Sequence, residues 1–169
     1  GSSGTFGTFC TPVLLALGTG DGAAQLLGDP TGGLTFIWQH VTNGISAQRM
    51  SDVSSAAVVT VTDTEVYGTG YRHPTGCWDH KRGLLIVAMQ KIPGADLWWY
   101  ITVSELDSSG LLGAFSTPVL LALSGNEVAA QLTHDRDGKF TFTHFDNVFG
   151  AGVTLSRRSA ISKTGAITV

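Results

Sequence analysis

An internal repeat constrains this chain more than any other feature of its sequence. Residues 2–17 match residues 108–123, and the match continues at the same shift of 106 residues. The continuing matches are residues 23–26 with 129–132 and residues 33–36 with 139–142. Residues 82–104, between the two copies, read as a variant of the same unit. The basic period is therefore about half of 106 residues, which is the size of a four-stranded unit.

Strand signals run through the whole chain. Short runs of β-branched and aromatic residues alternate with turn sequences, and no long stretch has a helical period with caps. The clearest turn sequences are residues 29–33, 93–96 and 135–138. We therefore predict an all-β chain built from four-stranded antiparallel sheets that are arranged as β-propeller blades.

The repeat divides the 169 residues into one partial blade and three further blades, about three and a half in all. The predicted units are residues 1–19, 20–62, 63–123 and 129–169. Propellers close with roughly four to eight blades, because an open arc leaves sheet faces and edges unpaired. We therefore expect the chain to form a homo-oligomer or to be part of a longer polypeptide, and its start within a unit favours the second.

Residues 82–123 carry the most specific resemblance to a known family. Their parts are, in order, strands at residues 83–90 and 97–104, a turn at residues 107–110, and a strand at residues 116–121. This order resembles the sialidase-like repeat family, whose blades contain a turn called the Asp-box. The resemblance implies a structural role, in which polar side chains satisfy the hairpin backbone and an aromatic residue packs under it. The residues concerned are Ser104, Asp107, Gly110 and Phe115, and residues 111–114 lengthen the box.

Most side chains with binding chemistry lie in residues 71–82. The resemblance places this segment before an innermost strand, on the face where such propellers bind sugar. Aromatic, cationic and carboxylate groups suit stacking on a pyranose and bonding to its hydroxyls. The candidate ligand-binding residues are Tyr71, Arg72, His73, Trp78, Asp79, His80 and Arg82. An ordinary polar loop with Trp78 in the core is the alternative that the sequence leaves open.

Two groups of residues have the side chains of metal sites. His73, Cys77 and His80 are zinc-ligand types, but their spacing lacks a second pair of ligands. Asp135 and Asp137 resemble the start of a calcium loop, but the repeat aligns them with the hairpin turn at residues 29–32, so a turn is favoured. We therefore predict no metal and no cofactor.

Charge and hydropathy exclude two kinds of partner. The net charge is −3, and no run of Lys or Arg is longer than two residues, which argues against nucleic acid and anionic membranes. The longest apolar runs are far shorter than the roughly 20 residues that a membrane helix needs.

The resemblance also defines what a sialidase would require: an arginine cluster, a tyrosine nucleophile with a glutamate partner, and an aspartic acid. No complete catalytic set can be assigned, so we predict no catalytic residue. We expect a carbohydrate- or receptor-binding module of a phage tail, virion appendage or secreted adhesin, extracellular or virion-associated, with a glycan or cell-surface receptor as its partner. The alternatives are a fragment of a sialidase-like glycoside hydrolase and a structural assembly module of a larger particle.

Overall fold

A computed structural model describes nine segments of the chain. They are residues 22–40, 44–53, 59–68, 70–91, 99–121, 127–135, 139–146, 153–162 and 167–168. These segments contain twelve strands and no helix, so the prediction of an all-β chain is confirmed. The search for a membrane-spanning helix accordingly finds none among the described residues.

In the described residues, the strands form three antiparallel sheets of four consecutive strands each. Sheet 1 contains β1 (Gly22–Gly28), β2 (Leu34–His40), β3 (Gly44–Val53) and β4 (Val59–Tyr67). Sheet 2 contains β5 (Tyr71–Asp79), β6 (Leu84–Lys91), β7 (Trp99–Glu105) and β8 (Val119–Leu120). Sheet 3 contains β9 (Glu127–His134), β10 (Lys139–Asp146), β11 (Val153–Ile161) and β12 (Ile167–Thr168).

The sheets differ from the predicted units mainly at one boundary. Strand β4 continues to Tyr67, so residues 63–67, which the repeat assigns to the unit at residues 63–123, lie in sheet 1. The break falls beside Gly70, whose φ of +91° lies in the left-handed region that favours glycine. The partial unit predicted for residues 1–19 lies outside the described residues.

Sheet 2 is covered on both faces, by sheet 1 and by sheet 3. Successive side chains of β6 point to opposite faces of the sheet. Leu85 belongs to a core cluster with Ile37 of sheet 1, and Ile86 belongs to another with Phe142 of sheet 3. Because both faces are buried, β6 is a continuous apolar run rather than an alternating one.

The first strand of sheet 2, β5, contacts the first strands of both neighbours, β1 and β9. Gly76 permits a close approach of β5 to sheet 1, because a Cβ atom there would lie 2.8 Å from Ile37 Cδ1 of β2. Pro74 is tolerated because β5 is an edge strand, where a missing N–H costs no ladder bond. Residues 71–79 are therefore the first strand itself and not a segment that leads into it.

One hydrogen-bond pattern joins consecutive first strands. Gln25 Oε1 of β1 accepts from the backbone N–H of Gly76 at 2.8 Å. Thr75 Oγ1 of β5 accepts from the backbone N–H of Leu132 at 3.2 Å. Gln25 and Thr75 each lie four residues before the aspartate that begins the first hairpin of their sheet. The step from sheet 1 to sheet 2 is thus repeated from sheet 2 to sheet 3.

A second kind of contact joins an arginine that pairs with the first-hairpin aspartate of one sheet to a backbone carbonyl between the third and fourth strands, or at the end of the third strand, of the next sheet. Arg49 of sheet 1 donates through Nη1 to the Gly110 carbonyl oxygen of sheet 2. Arg82 of sheet 2 donates through Nη1 to the Ile161 carbonyl oxygen of sheet 3, at 2.6 Å. Each guanidinium also pairs with the first-hairpin aspartate of its own sheet; the pairs are Asp29–Arg49 and Asp79–Arg82.

Candidate functional site

The first strands β1, β5 and β9 surround a cleft of about 580 Å³. Equivalent positions of three sheets meet there, at the ends of the strands that lead into the first hairpins. The side chains on its wall that can bond a ligand include Gln25, His80, Lys81, Gln131 and Thr133. The cleft therefore offers amide, imidazole, ammonium and hydroxyl groups within one space.

Asp79 anchors the β5 side of this cleft. Its side chain is only 1% exposed, and Oδ1 accepts from the backbone N–H groups of Lys81 and Arg82, both at 3.1 Å. Oδ2 pairs with the Arg82 guanidinium and lies 3.3 Å from His134 Nε2. Burial raises the pKa of Asp79, but the hydrogen bonds from Arg82 and the charges of His134 and Arg82 together outweigh it, so the pKa is lowered. Asp79 is thus held as a carboxylate that caps the turn.

Asp29 and Asp79 should make the fold sensitive to acid. Burial raises the pKa of Asp29 too, but its bonds to Arg49 and Thr31 give a net lowering from 3.8. A lowered pKa in the folded state contributes stability that is present above the unfolded value of 3.8 and is lost as pH falls through the folded value. We expect urea unfolding to show a free energy that declines below about pH 4. Asp79→Asn should flatten this decline, and an equally steep decline in that variant would contradict the role of Asp79.

Strand β5 separates the seven candidate ligand-binding residues into two groups. Tyr71, Arg72 and His73 begin the strand, whereas Trp78, Asp79, His80 and Arg82 lie at its end or in the hairpin that follows. At about 3.3 Å per residue, Tyr71 and Asp79 are roughly 26 Å apart. Trp78, Asp79 and His80 line the cleft. Arg82 contributes to the cleft only indirectly, through its ion pair with Asp79.

Trp78 occupies the core position that the sequence left open as the alternative. Its side chain is 3% exposed and belongs to the cluster between sheets 1 and 2. The indole Nε1 donates to Thr35 Oγ1 of sheet 1 at 3.1 Å. The ring therefore joins two sheets, with little surface left on which a sugar could stack.

Tyr71 belongs to an aromatic cluster at the opposite end of β5. Its ring meets those of Tyr67 and Tyr100 edge-on, with centroids 5.4 and 5.9 Å away. The Lys91 ammonium lies 5.5 Å from the Tyr100 ring centroid. Burial raises the pKa of both Tyr67 and Tyr71, so the phenols stay protonated. This cluster closes the far end of the contact between sheets 1 and 2.

Arg72 and His73 lie beside that cluster. Arg72 Nε donates to Gln90 Oε1 at 3.1 Å. His73 has a φ of +50°, next to a bulge in β5, and its backbone N–H donates to Gln39 Oε1 at 3.2 Å. Burial lowers the pKa of His73, and the charge of Arg72 lowers it further. These residues lie away from the cleft.

The turn at residues 107–110 has the geometry implied for its aspartate. Asp107 Oδ1 accepts from the backbone N–H groups of Ser109 and Leu111, at 2.8 and 2.9 Å. Gly110 has a φ of +76°, which favours glycine. Asp107 therefore stabilises the turn and binds nothing else in the described residues.

Ser104 and Phe115 fix the rest of the same connection. Ser104 Oγ donates to the Gly113 carbonyl oxygen at 2.6 Å. The Phe115 ring packs edge-on against Tyr67, with centroids 6.1 Å apart, in the cluster between sheets 1 and 2. The role of this connection is structural, and its assignment to the sialidase-like family stays a prediction.

The structure does not assemble the zinc-ligand types. His73 and His80 lie at opposite ends of β5, while Cys77 is buried against sheet 3 and burial raises the pKa of its thiol to about 12. Within the described segments, no three His, Cys, Asp or Glu side chains are grouped for a metal. The described residues therefore do not bring the three zinc-ligand types together.

The interpretation of Asp135 as a turn residue is confirmed. Its backbone N–H donates to the Lys139 carbonyl oxygen at 2.8 Å. The same bond joins Asp29 to Gly33 at 2.9 Å, at the shift of the repeat. Asp137 lies outside the described residues.

Sequence reasoning overlooked Gln25 and Gln131 as site residues. The signal was present, because both glutamines belong to the repeated residues 23–26 and 129–132. The repeat therefore places these two positions around one cleft.

No family model matches this chain, and no curated protein or solved structure matches it either. The function must therefore be argued from the geometry.

Proposed function

We propose that the chain is a glycan-binding module whose sheets are blades of a sialidase-like β-propeller, carried on the outside of a cell or on a virion. Three observations support the propeller. Each sheet is a four-stranded meander, the sheets stack face to face, and their first strands lie side by side. This is the arrangement of consecutive blades around an axis.

The cleft between the first strands is the observation that carries the binding function. Ligand sites are concave and have a few polar groups that fix the ligand's orientation. Glutamine amides offer a donor and an acceptor together, which matches the hydroxyl groups of a sugar. Gln131 places such an amide in the cleft, and Gln25 adds an amide whose oxygen already accepts from Gly76 and Thr75. His80 and Lys81 add exposed donors at the edge of the cleft.

The charge balance of the cleft favours a glycan over a strongly charged ligand. Asp79 is neutralised by Arg82, and Lys81 is close in sequence to this pair. Because Trp78 is buried, we expect affinity to come from hydrogen bonds rather than from stacking. Such binding should change little with salt, since screening weakens interactions between charges.

Substitution of His80 and Lys81 tests this proposal. Both residues are exposed, so alanine at either position should leave the fold intact. Loss of a hydrogen bond to a charged donor costs about 1.5–3 kcal/mol, so Lys81→Ala should weaken binding roughly tenfold or more. The measurement is a glycan-array screen followed by calorimetric titration of the best ligand.

Lys91→Ala is the matched control, because Lys91 is an exposed lysine at the opposite end of β5. It should bind as the unaltered chain does. Equal losses at Lys81 and Lys91, or a chain that binds no glycan, would overturn the proposed site. Hydrolysis of a chromogenic sialoside would favour the glycoside hydrolase instead.

A further inference from the structure

The three first strands lie in the order β1, β5 and β9, and the contact that joins consecutive first strands is incomplete at β1 and at β9. Gln131 of β9 is the equivalent of Gln25 and Thr75, because it lies four residues before Asp135. Gln25 and Thr75 each accept a backbone N–H of the next sheet. Gln131 is exposed, and its side chain has no hydrogen bond within the described residues. Sheet 3 thus presents the acceptor half of a contact.

Sheet 1 presents the other half. Leu26 and Leu132 are equivalent at the shift of 106 residues. Leu132 packs against sheet 2 with 2% exposure and donates its N–H to Thr75, whereas Leu26 is 52% exposed. The apolar side chain that completes the contact in sheet 3 is therefore left in solvent in sheet 1.

We propose that the exposed β1 strand of one copy binds the exposed β9 strand of a second copy, and that the reverse contact closes a ring. The Leu26 N–H of each copy donates to Gln131 Oε1 of the other. The described residues of each copy form three sheets, so those residues of two copies give six, within the roughly four to eight blades of closed propellers. The inference rests on the propeller arrangement of the proposed function.

A second copy is the occupant that the observations favour. The two incomplete halves match each other, since they are the two sides of one repeated contact. In a ring with twofold symmetry, β1 of each copy contacts β9 of the other, so neither strand is left without a neighbour.

Closure would complete the ligand site. Gln131 and Thr133 lie on the exposed side of β9 and also line the cleft. The β1 strand of the partner would form the missing wall beside them. A glycan in the closed ring would then contact residues of both copies, so binding and dimerisation would be coupled.

Light scattering over a dilution series tests the ring. We expect twice the chain mass for the unaltered protein and the single-chain mass for Leu26→Asp, because a charge would be buried in the contact. Leu111→Asp is the control: Leu111 is 42% exposed but lies in the β7–β8 connection. This variant should stay dimeric. A single-chain mass for the unaltered protein at every concentration, or a dimeric Leu26→Asp, would overturn the proposal.

A designed disulfide gives a second test. In a Cys10→Ser background, Leu26→Cys with Gln131→Cys should give a covalent dimer that reducing agent separates. Within one chain, β5 lies between the two positions. Failure to cross-link under oxidation would contradict the contact. For the unaltered protein, a single chain that binds glycan would overturn the ring alone, and a dimer that binds none would overturn the glycan function alone.

Discussion

Replacing Asp29 by Ala is expected to lower the free energy of unfolding by about 3–5 kcal/mol, because it removes one partner of a buried ion pair. The Asp29 and Arg49 side chains are 1% and 4% exposed, with Oδ2 and Nε 2.8 Å apart. Without Asp29, the buried guanidinium would lose the carboxylate oxygen that lies 2.8 Å from its Nε. The Thr31 backbone N–H would also lose its 2.7 Å bond to Asp29 Oδ1.

Chemical denaturation of a double-mutant cycle measures this effect. Arg49→Met removes the buried charge, so the variant with both changes should lose less stability than the two single losses added together. Asp107→Ala is the control, since Asp107 also caps a turn but is exposed. If Asp29→Ala costs no more than Asp107→Ala, the ion pair does not stabilise the fold as described.

Trp99→Ala is expected to cost about 3–5 kcal/mol, the usual loss when a large aromatic side chain leaves a core. Trp99 is 1% exposed in the cluster between sheets 2 and 3. Its ring centroid lies 5.4 Å from that of Phe142. The substitution would therefore open a cavity between two sheets.

Equilibrium unfolding in guanidinium chloride measures this loss, and Trp99→Phe is the matched variant. Phenylalanine fills part of the space, so it should lose less stability than alanine does. Hydrogen exchange should show that the β9–β10 hairpin loses protection in Trp99→Ala. Equal losses for the two variants, or unchanged exchange in sheet 3, would contradict the proposed packing.

The sequence predicts strands well where residue type and neighbours agree. The apolar run of β6 and the repeated hairpin turns at Asp29 and Asp135 are confirmed. Strand β5 was missed because Pro74, Gly76 and its polar residues suggest a loop. Its conformation depends on its place at a sheet edge and on close contact with sheet 1, and neither is visible in a local pattern.

The candidate site was predicted in part for the same reason. Asp79 and His80 line the cleft, but Tyr71 lies at the far end of its strand. Residues that are neighbours in sequence are carried apart by an extended strand. Gln25 and Gln131 are far apart in sequence, and they line the same cleft only because three sheets stack. The candidate residues that cluster in the sequence therefore lie on a strand that borders the cleft, but they are divided between its two ends.

The hydrogen bond that is repeated between consecutive first strands has a consequence for the evolution of such a chain. Gln25 and Thr75 each accept a backbone N–H of the next sheet, although their side chains differ, because this contact needs only an oxygen that reaches the N–H. A duplicated unit would contain both the side-chain acceptor and the backbone N–H donor of this contact, even where the rest of its sequence had diverged. Whole units can thus be gained or lost without loss of the contact between first strands. The acceptor residue of each contact can also be replaced by another residue with a suitable oxygen.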